Sequence, residues 1–147
     1  MEVGRDYIGV TVCFMCNDGK GNFLLHKRSN AARDERGRWD FGGGKLEMGE
    51  ELEGAVLREV KEEYGVDGEI QEELPAFSII REEDGRRTQW IAIPFFVKVD
   101  VSKARIMEPE KVTEMGIFRL DKMPSPMHSA WPRAMAMYKR HFERYGR

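Results

Sequence analysis

Cysteine is nearly absent from this 147-residue chain, proline is sparse, and no apolar run is long or pure enough to span a bilayer. The only cysteines, Cys13 and Cys16, stand in VTVCFMC. A zinc site needs further ligands nearby, and in a strand of period two these side chains point to opposite faces. Two buried, reduced thiols are expected, as in a reducing compartment. The first residues, MEVGRDYIGV, lack a basic segment followed by an apolar run, so no signal peptide and a cytoplasmic location are expected. An excess of positive charge is missing too. The formal net charge is −2 and the pI about 6.0, which leaves no global field for a nucleic-acid backbone. A small anionic ligand would need local help from a cation, a backbone amide or a metal.

What is present reads as one domain over residues 1–147. Hydrophobic residues make up 41% and charged residues 34% of the chain, enough to bury a core without staples. Tyr7 to Cys16 is apolar and β-branched, a buried strand. The turn Asn17-Asp18-Gly19-Lys20-Gly21 returns it as a second strand, Asn22 to Lys27, in a hairpin. A polar loop follows, then a short strand at Trp39-Asp40-Phe41 entering Gly42-Gly43-Gly44. Strand regions are expected at about residues 69–81 and 88–101, with breaks or bulges at Pro75 and Pro94, and a short strand at 115–120. A last helix is expected over about 129–145, docked through Ala130, Ala134, Met137, Tyr138 and Phe142.

The clearest helix is 51–64, with acidic residues in its first turn and Gly65 placed for a left-handed cap. On a wheel of roughly 100° per residue counted from Glu50, the apolar arc runs from about 140° to 320°. Glu59 falls near 180° and Glu63 near 220°, inside that arc, while Glu62 sits at its edge near 120°. A solvated acidic helix would place them opposite. Two carboxylates one turn apart on a buried face cost several kcal/mol or take up protons unless something neutralises them. Arg58 and Lys61 are the nearest cations, but Lys61 points near 20°, away from the cluster. A divalent cation with hard oxygen ligands, Mg²⁺ or Mn²⁺, suits the carboxylates better. The three glycines just before the helix allow close backbone approach, so their amides or carbonyls can meet phosphate or cation. Gly54 costs the helix about 1 kcal/mol relative to alanine, for no reason visible in the sequence.

The array Gly44, Glu50, Arg58-Glu59-Val60, Glu62-Glu63, Gly65-Val66 resembles a complete Nudix box, with every fixed position filled. Trp39-Asp40-Phe41-Gly42-Gly43-Gly44-Lys45-Leu46-Glu47 is similar to the lead-in of MutT-like members of that family, except that Gly42 replaces the usual proline, which suggests a looser loop. The order of elements fits over nearly the whole chain. The resemblance implies an α/β/α sandwich around a central mixed β-sheet, and Mg²⁺-dependent hydrolysis of a nucleoside diphosphate linked to another moiety. It implies Glu59 and Glu63 as main metal ligands and Glu62 as a further ligand or the base. It also implies a Gly43 carbonyl on the metal, and Glu50–Arg58 as a buried pair orienting the ligands. An additional acid from the loop EPEKVTEMGIF is expected, Glu110 first, then Glu114 and Glu108. Arg28 resembles a phosphate-contacting residue.

Outside the box, Trp39, Phe41, Phe77, Trp90 and Phe95 could stack on a base, although core packing is the expectation for most of them, and Trp90 and Trp131 are the foremost candidates. The leading expectation is hydrolysis of a (d)NTP to monophosphate and pyrophosphate. Cleavage of ADP-ribose, another nucleotide sugar or a dinucleoside polyphosphate is the alternative within the enzyme class. A non-catalytic nucleotide-binding module is the alternative outside it, although it predicts a damaged acidic cluster. The expected partner is a small nucleotide, with no large nucleic acid and no membrane, for a monomer or homodimer. RNA decapping lacks the basic patch it would need.

Overall fold

The computed structural model describes residues 1–147. Eight strands form one sheet: β1 (Gly9–Asn17), β2 (Phe23–Arg28), β3 (Trp39–Asp40), β4 (Gly43–Lys45), β5 (Glu69–Glu73), β6 (Phe77–Glu83), β7 (Arg86–Lys98) and β8 (Val112–Phe118). The helices are α1 (Leu52–Tyr64), α2 (Trp131–Met137) and α3 (Lys139–Tyr145). β1 and β7 run parallel over nine residue pairs from Gly9–Trp90 to Asn17–Lys98, and the other pairings are antiparallel, so the sheet is mixed. No helix is long and apolar enough to cross a membrane.

Period-two alternation in the central strands sends apolar side chains to both faces, and each face is covered. Val12, Phe14, Cys16, Leu24 and Phe95 pack beneath Ala55, Val56, Val60 and Tyr64 of α1. Cys13, Met15, Phe23, Leu25 and Phe96 pack beneath Trp131, Ala134, Tyr138 and Phe142 of α2 and α3. The result is the three-layer α/β/α arrangement. The two cysteines are free, buried and on opposite faces, as period two requires.

Two features differ from the sequence reading. The last helix breaks at Tyr138, whose backbone leaves the helical region while its hydroxyl donates to the Pro75 carbonyl. The bend keeps Tyr138 and Phe142 in the core but leaves Met137 47% exposed rather than docked. The hairpin closes only at its tip, where Asn17 pairs with Phe23. Beyond it β1 pairs with β4 and β7, and β2 pairs with β3 and β8. Pro75 does separate β5 from β6. Pro94 sits where the partner of β7 changes from β6 to β5, with its carbonyl accepting the Leu74 amide at 2.8 Å.

Candidate active site

Where β1 and β2 part, a cavity of about 620 Å³ opens. α1 supplies one wall. It begins without a side-chain cap and ends at Gly65, which takes φ 71° and donates its amide to the Lys61 carbonyl at 2.9 Å. Its buried stripe fixes the helix's rotation, and Glu59 and Glu63 therefore face the sheet and the cavity, as the wheel requires. Glu62 is 53% exposed at the stripe's margin.

Arg58 organises the acids. Its Nε and Nη2 each donate to Glu50 at 2.7 Å, a bidentate pair, and its Nη1 donates to Glu59 Oε1 at 2.9 Å and reaches Glu62 at 3.3 Å. Arg58 holds the Glu50 carboxyl down at about 2, helped by the Glu47 amide. This pair is not buried as expected: both side chains remain partly exposed, because Arg58 lies off the buried stripe of α1 and Glu50 precedes the helix. Lys61 binds Asp67 instead of the cluster.

Glu63 is the unresolved charge. Its Oε2 is buried without a hydrogen-bond partner. Burial drives its carboxyl well above the usual range, the charges of Asp40, Glu59 and Glu108 push it further, and the Gly43 amide pulls the other way. Burial also raises Glu59, against the pull of Arg58. The glycines are explained by contact. A Cβ on Gly44 would lie 2.1 Å from the Glu59 carboxyl carbon, and one on Gly43 would lie 2.8 Å from the Val12 carbonyl oxygen. Gly42 does not loosen the loop. It is buried at φ 136°, its missing Cβ would meet Phe14 at 2.2 Å, and its carbonyl accepts the Phe14 amide at 3.1 Å.

The loop acid is the main correction. Glu108, half-buried, lines the cavity and adds to the charge around Glu59 and Glu63. Glu110 is exposed and offers only its backbone carbonyl, to Ser29 Oγ at 2.7 Å. Glu114 lies on β8 and pairs with Lys27 at 3.4 Å. The turn through Pro109 carries Glu110 outward: Lys111 and Val112 donate back to the Glu108 carbonyl.

Arg28 reaches the cavity, where Asp34 holds it at 2.7 Å and Asp40 lies 3.5 Å away. Trp90 and Trp131 line the cavity as well, yet neither is an open stacking platform. Gly4 and Gly9 press on the Trp90 rings and the Arg33 guanidinium stands 5.6 Å over them. Trp131 is 3% exposed, stacks edge-on against Phe41 and donates its Nε1–H to Asp40 at 2.6 Å. Phe41 and Phe95 are wholly buried, Trp39 packs on Phe118, and Phe77 alone of these four reaches the cavity.

Sequence reasoning missed His26, Asp34, Asp40, Arg81 and His128, which complete the cavity's lining, with Asp40 close enough to act on Glu63 and His26 bonded to Tyr64 of α1. Burial would raise Asp40, but His128, His26, Arg28 and the Trp131 N–H outweigh it and hold the carboxyl at about 2. His26 carried a signal: it shares a strand face with buried Leu24, a polar residue on a core stripe.

No three His, Cys, Asp or Glu side chains converge as a ready-made ligand set. The donors nevertheless suit a hard cation. Glu63 Oε2 is an orphaned buried oxygen, Glu59 sits in the space left by Gly44, and Mg²⁺ typically takes one or two carboxylates and completes its shell with water and phosphate.

Known proteins share the sequence pattern and the fold. A CTP pyrophosphohydrolase of Escherichia coli (strain K12) is 37% identical over 79 residues, 54% of this chain, and the chain spans only 55% of that relative's length. The MutT NUDIX hydrolase structure from Burkholderia pseudomallei superposes with a TM-score of 0.79 at 28% identity, covering 90% of this chain and 99% of that one. The MutT protein from Methanosarcina mazei Go1 superposes with a TM-score of 0.69 at 27% identity, over 94% and 92% of the two chains. The NUDIX domain itself matches over residues 7–139, nearly the full length, and the chain belongs to that family.

Proposed function

We propose that this protein hydrolyses the phosphoanhydride of a nucleoside triphosphate, releasing nucleoside monophosphate and pyrophosphate, with Mg²⁺ as the working cation and Mn²⁺ as a substitute. The observation that carries the reading is the orphaned Glu63 oxygen beside Glu59 and Glu108, at one end of a cavity sized for a single small ligand. Glu63 and Glu59 hold the cation, and the Gly43 carbonyl is a further oxygen for it. Bound there, Mg²⁺ supplies charge neutralisation for the phosphates and a water of lowered pKa.

The chain's own groups do the rest. Arg58, anchored by Glu50, fixes the Glu59 carboxylate so that its free oxygen is available to the cavity. Glu108 and Glu62 are the acids that accept a proton from the attacking water: Glu108 lines the cavity with one oxygen on Lys111 at 3.1 Å, and Glu62 stands half-exposed near Glu59 on a long Arg58 contact. Arg28 binds phosphate oxygen once Asp34 releases part of its guanidinium, and the Gly43 and Gly44 backbone comes close enough to meet phosphate. The similarity to a CTP pyrophosphohydrolase supports a nucleotide substrate.

The test is a Mg²⁺-dependent screen over (d)NTPs, ADP-ribose, nucleotide sugars and dinucleoside polyphosphates, with products resolved by chromatography. Monophosphate and pyrophosphate from a triphosphate are expected. Preferential cleavage of ADP-ribose or a dinucleoside polyphosphate would replace the triphosphate reading, and no turnover of any of them would end it.

A further inference from the structure

Two histidines line the cavity and take no part in the hydrolytic step described above. Their hydrogen bonds fix which ring nitrogen of each carries the proton. On β2, His26 Nδ1 lies 2.7 Å from the Tyr64 hydroxyl, and that hydroxyl donates to the Phe41 carbonyl at 2.7 Å. A phenol has one proton. Having given it to Phe41, Tyr64 can only accept from His26, so His26 Nδ1 is protonated. Burial lowers the pKa of this 3%-exposed ring and keeps it neutral, which leaves Nε2 a bare lone pair. Nε2 has no protein partner and is not among the enclosed orphan atoms, so it faces the cavity.

His128 is set the opposite way. The segment before α2 docks on β3, with the His128 amide donating to the Trp39 carbonyl at 2.7 Å. The Ala130 amide donates to His128 Nδ1 at 3.1 Å, so Nδ1 is the acceptor and the ring's N–H is at Nε2. Glu35 Oε1 lies 3.5 Å from the same Nδ1, but it already accepts the Ser129 amide at 2.6 Å. His128 Nε2–H likewise has no protein partner. Asp40 feels both rings, while its Oδ1 is occupied by Trp131 Nε1 and the Gly42 amide. The cavity therefore carries one acceptor and one donor on these two rings, each held by a main-chain partner, directly or through one hydroxyl, and neither able to exchange roles cheaply.

We infer that His26 and His128 are specificity residues that read the amino-bearing edge of a nucleobase, as cytosine and adenine present it: the exocyclic amine donates to His26 Nε2 and the adjacent ring nitrogen accepts from His128 Nε2–H. Uracil in the same register sets a carbonyl oxygen against the His26 lone pair and a ring N–H against the His128 donor, and guanine does the same. Both contacts become repulsive, and a site built on hydrogen bonds rejects such a mismatch far more strongly than a merely apolar slot does. The apolar side chains of Ala32, Phe77 and Ile79 supply the walls for the base faces.

This inference rests on the nucleotide reading of the site, and two measurements separate the failure of one from the failure of the other. The first is kcat/KM for CTP, ATP, UTP and GTP. Wild type should favour CTP or ATP at least tenfold over UTP and GTP, and the difference should lie in KM. His128→Phe should bring the ratio near one, and His128→Gln, which keeps an N–H donor, should restore much of it. The second is calorimetric binding of CMP, AMP and UMP without metal, which needs no turnover and should show the same order. Equal use and equal binding of all bases by wild type, or a preference that survives both His128→Phe and His26→Phe, would overturn the assignment. Base-ordered binding without hydrolysis of any triphosphate would leave it standing and remove the hydrolase reading instead. CTP alone or ATP alone being favoured identifies which amino base the cavity's shape admits.

Discussion

Glu63→Gln tests the metal assignment through stability, before any turnover is measured. In the metal-free chain the Glu63 carboxyl is buried with one oxygen unpaired, and burial plus three neighbouring carboxylates raise it well above its ordinary 4.5. An acid raised on folding makes the folded state hold the extra proton, so stability falls as pH climbs from about 4.5 to the raised value, by about 1.4 kcal/mol for each pH unit crossed. The neutral amide removes that dependence. In chelator at neutral pH the variant should therefore be the more stable protein, by about 1.4 kcal/mol for each pH unit that the wild-type carboxyl has been raised toward that pH. For a domain of this size that is about 3 °C in Tm per kcal/mol. Its Tm should also be flatter than wild type between pH 5 and 8. Mg²⁺ at tenfold excess over its Kd should then stabilise wild type by about 1.4 kcal/mol and the variant by much less, while turnover is abolished. Scanning calorimetry across pH, with and without Mg²⁺, reads all of this. A variant no more stable than wild type in chelator, with the same pH slope and the same response to Mg²⁺, would refute the claim that Glu63 is a charge waiting for a cation.

Gly44→Ala should lower kcat/KM at least about a hundredfold with the fold intact by circular dichroism, since its methyl occupies the place of the Glu59 carboxyl and a misplacement of about 1 Å is worth that much. Gly42→Pro, although it restores the residue usual in MutT-like relatives, should destabilise by at least about 2 kcal/mol in urea unfolding, because φ 136° is closed to proline and Phe14 fills the space. Gly54→Ala should stabilise by about 1 kcal/mol: nothing lies within 4 Å of the missing Cβ and the position is helical and exposed. Glu108→Gln should depress kcat clearly more than Glu110→Gln does, and equal effects would contradict the cavity-facing placement of Glu108.

The difference between what is readable in the sequence and what is not follows from the range of the interactions. On α1 the residues that hold the acids are neighbours in sequence: Arg58 touches Glu59 and Glu62, and Glu50 is only eight residues away. Helical period alone therefore places Glu59 and Glu63 inward and Lys61 outward. The break between β5 and β6 and the opposed cysteines are equally local. The resemblance points to an acid in this loop, and Glu110 is taken ahead of Glu108 because the sequence carries no information about a turn at Pro109 that sends one acid inward and the other out. The bend at Tyr138 has no proline or glycine to announce it, and its buried hydroxyl contact reaches back to Pro75.

The rest of the cavity shows the same limit more sharply. Trp131 meets Asp40 across 91 positions, Tyr64 meets His26 across 38, and Arg81 meets Asp34 across 47. Aromatic character marks Trp90 and Trp131 as stacking candidates, but whether an aromatic face is free depends on what the rest of the chain lays over it. Here Gly4, Gly9, Arg33 and Phe41 do so. The protonation of His26 is more remote still, since it is decided by the single proton of Tyr64 and the carbonyl that takes it. The acids that α1 contributes are thus legible from its spacing, whereas Gly43 and Glu108 join them from β4 and the loop before β8. The groups that read the base come from β2 and the segment before α2, so their chemistry exists only once the sheet has closed. Substitutions there can change the preferred base while leaving every position of the box untouched, which is why the box alone identifies the reaction and not the nucleotide.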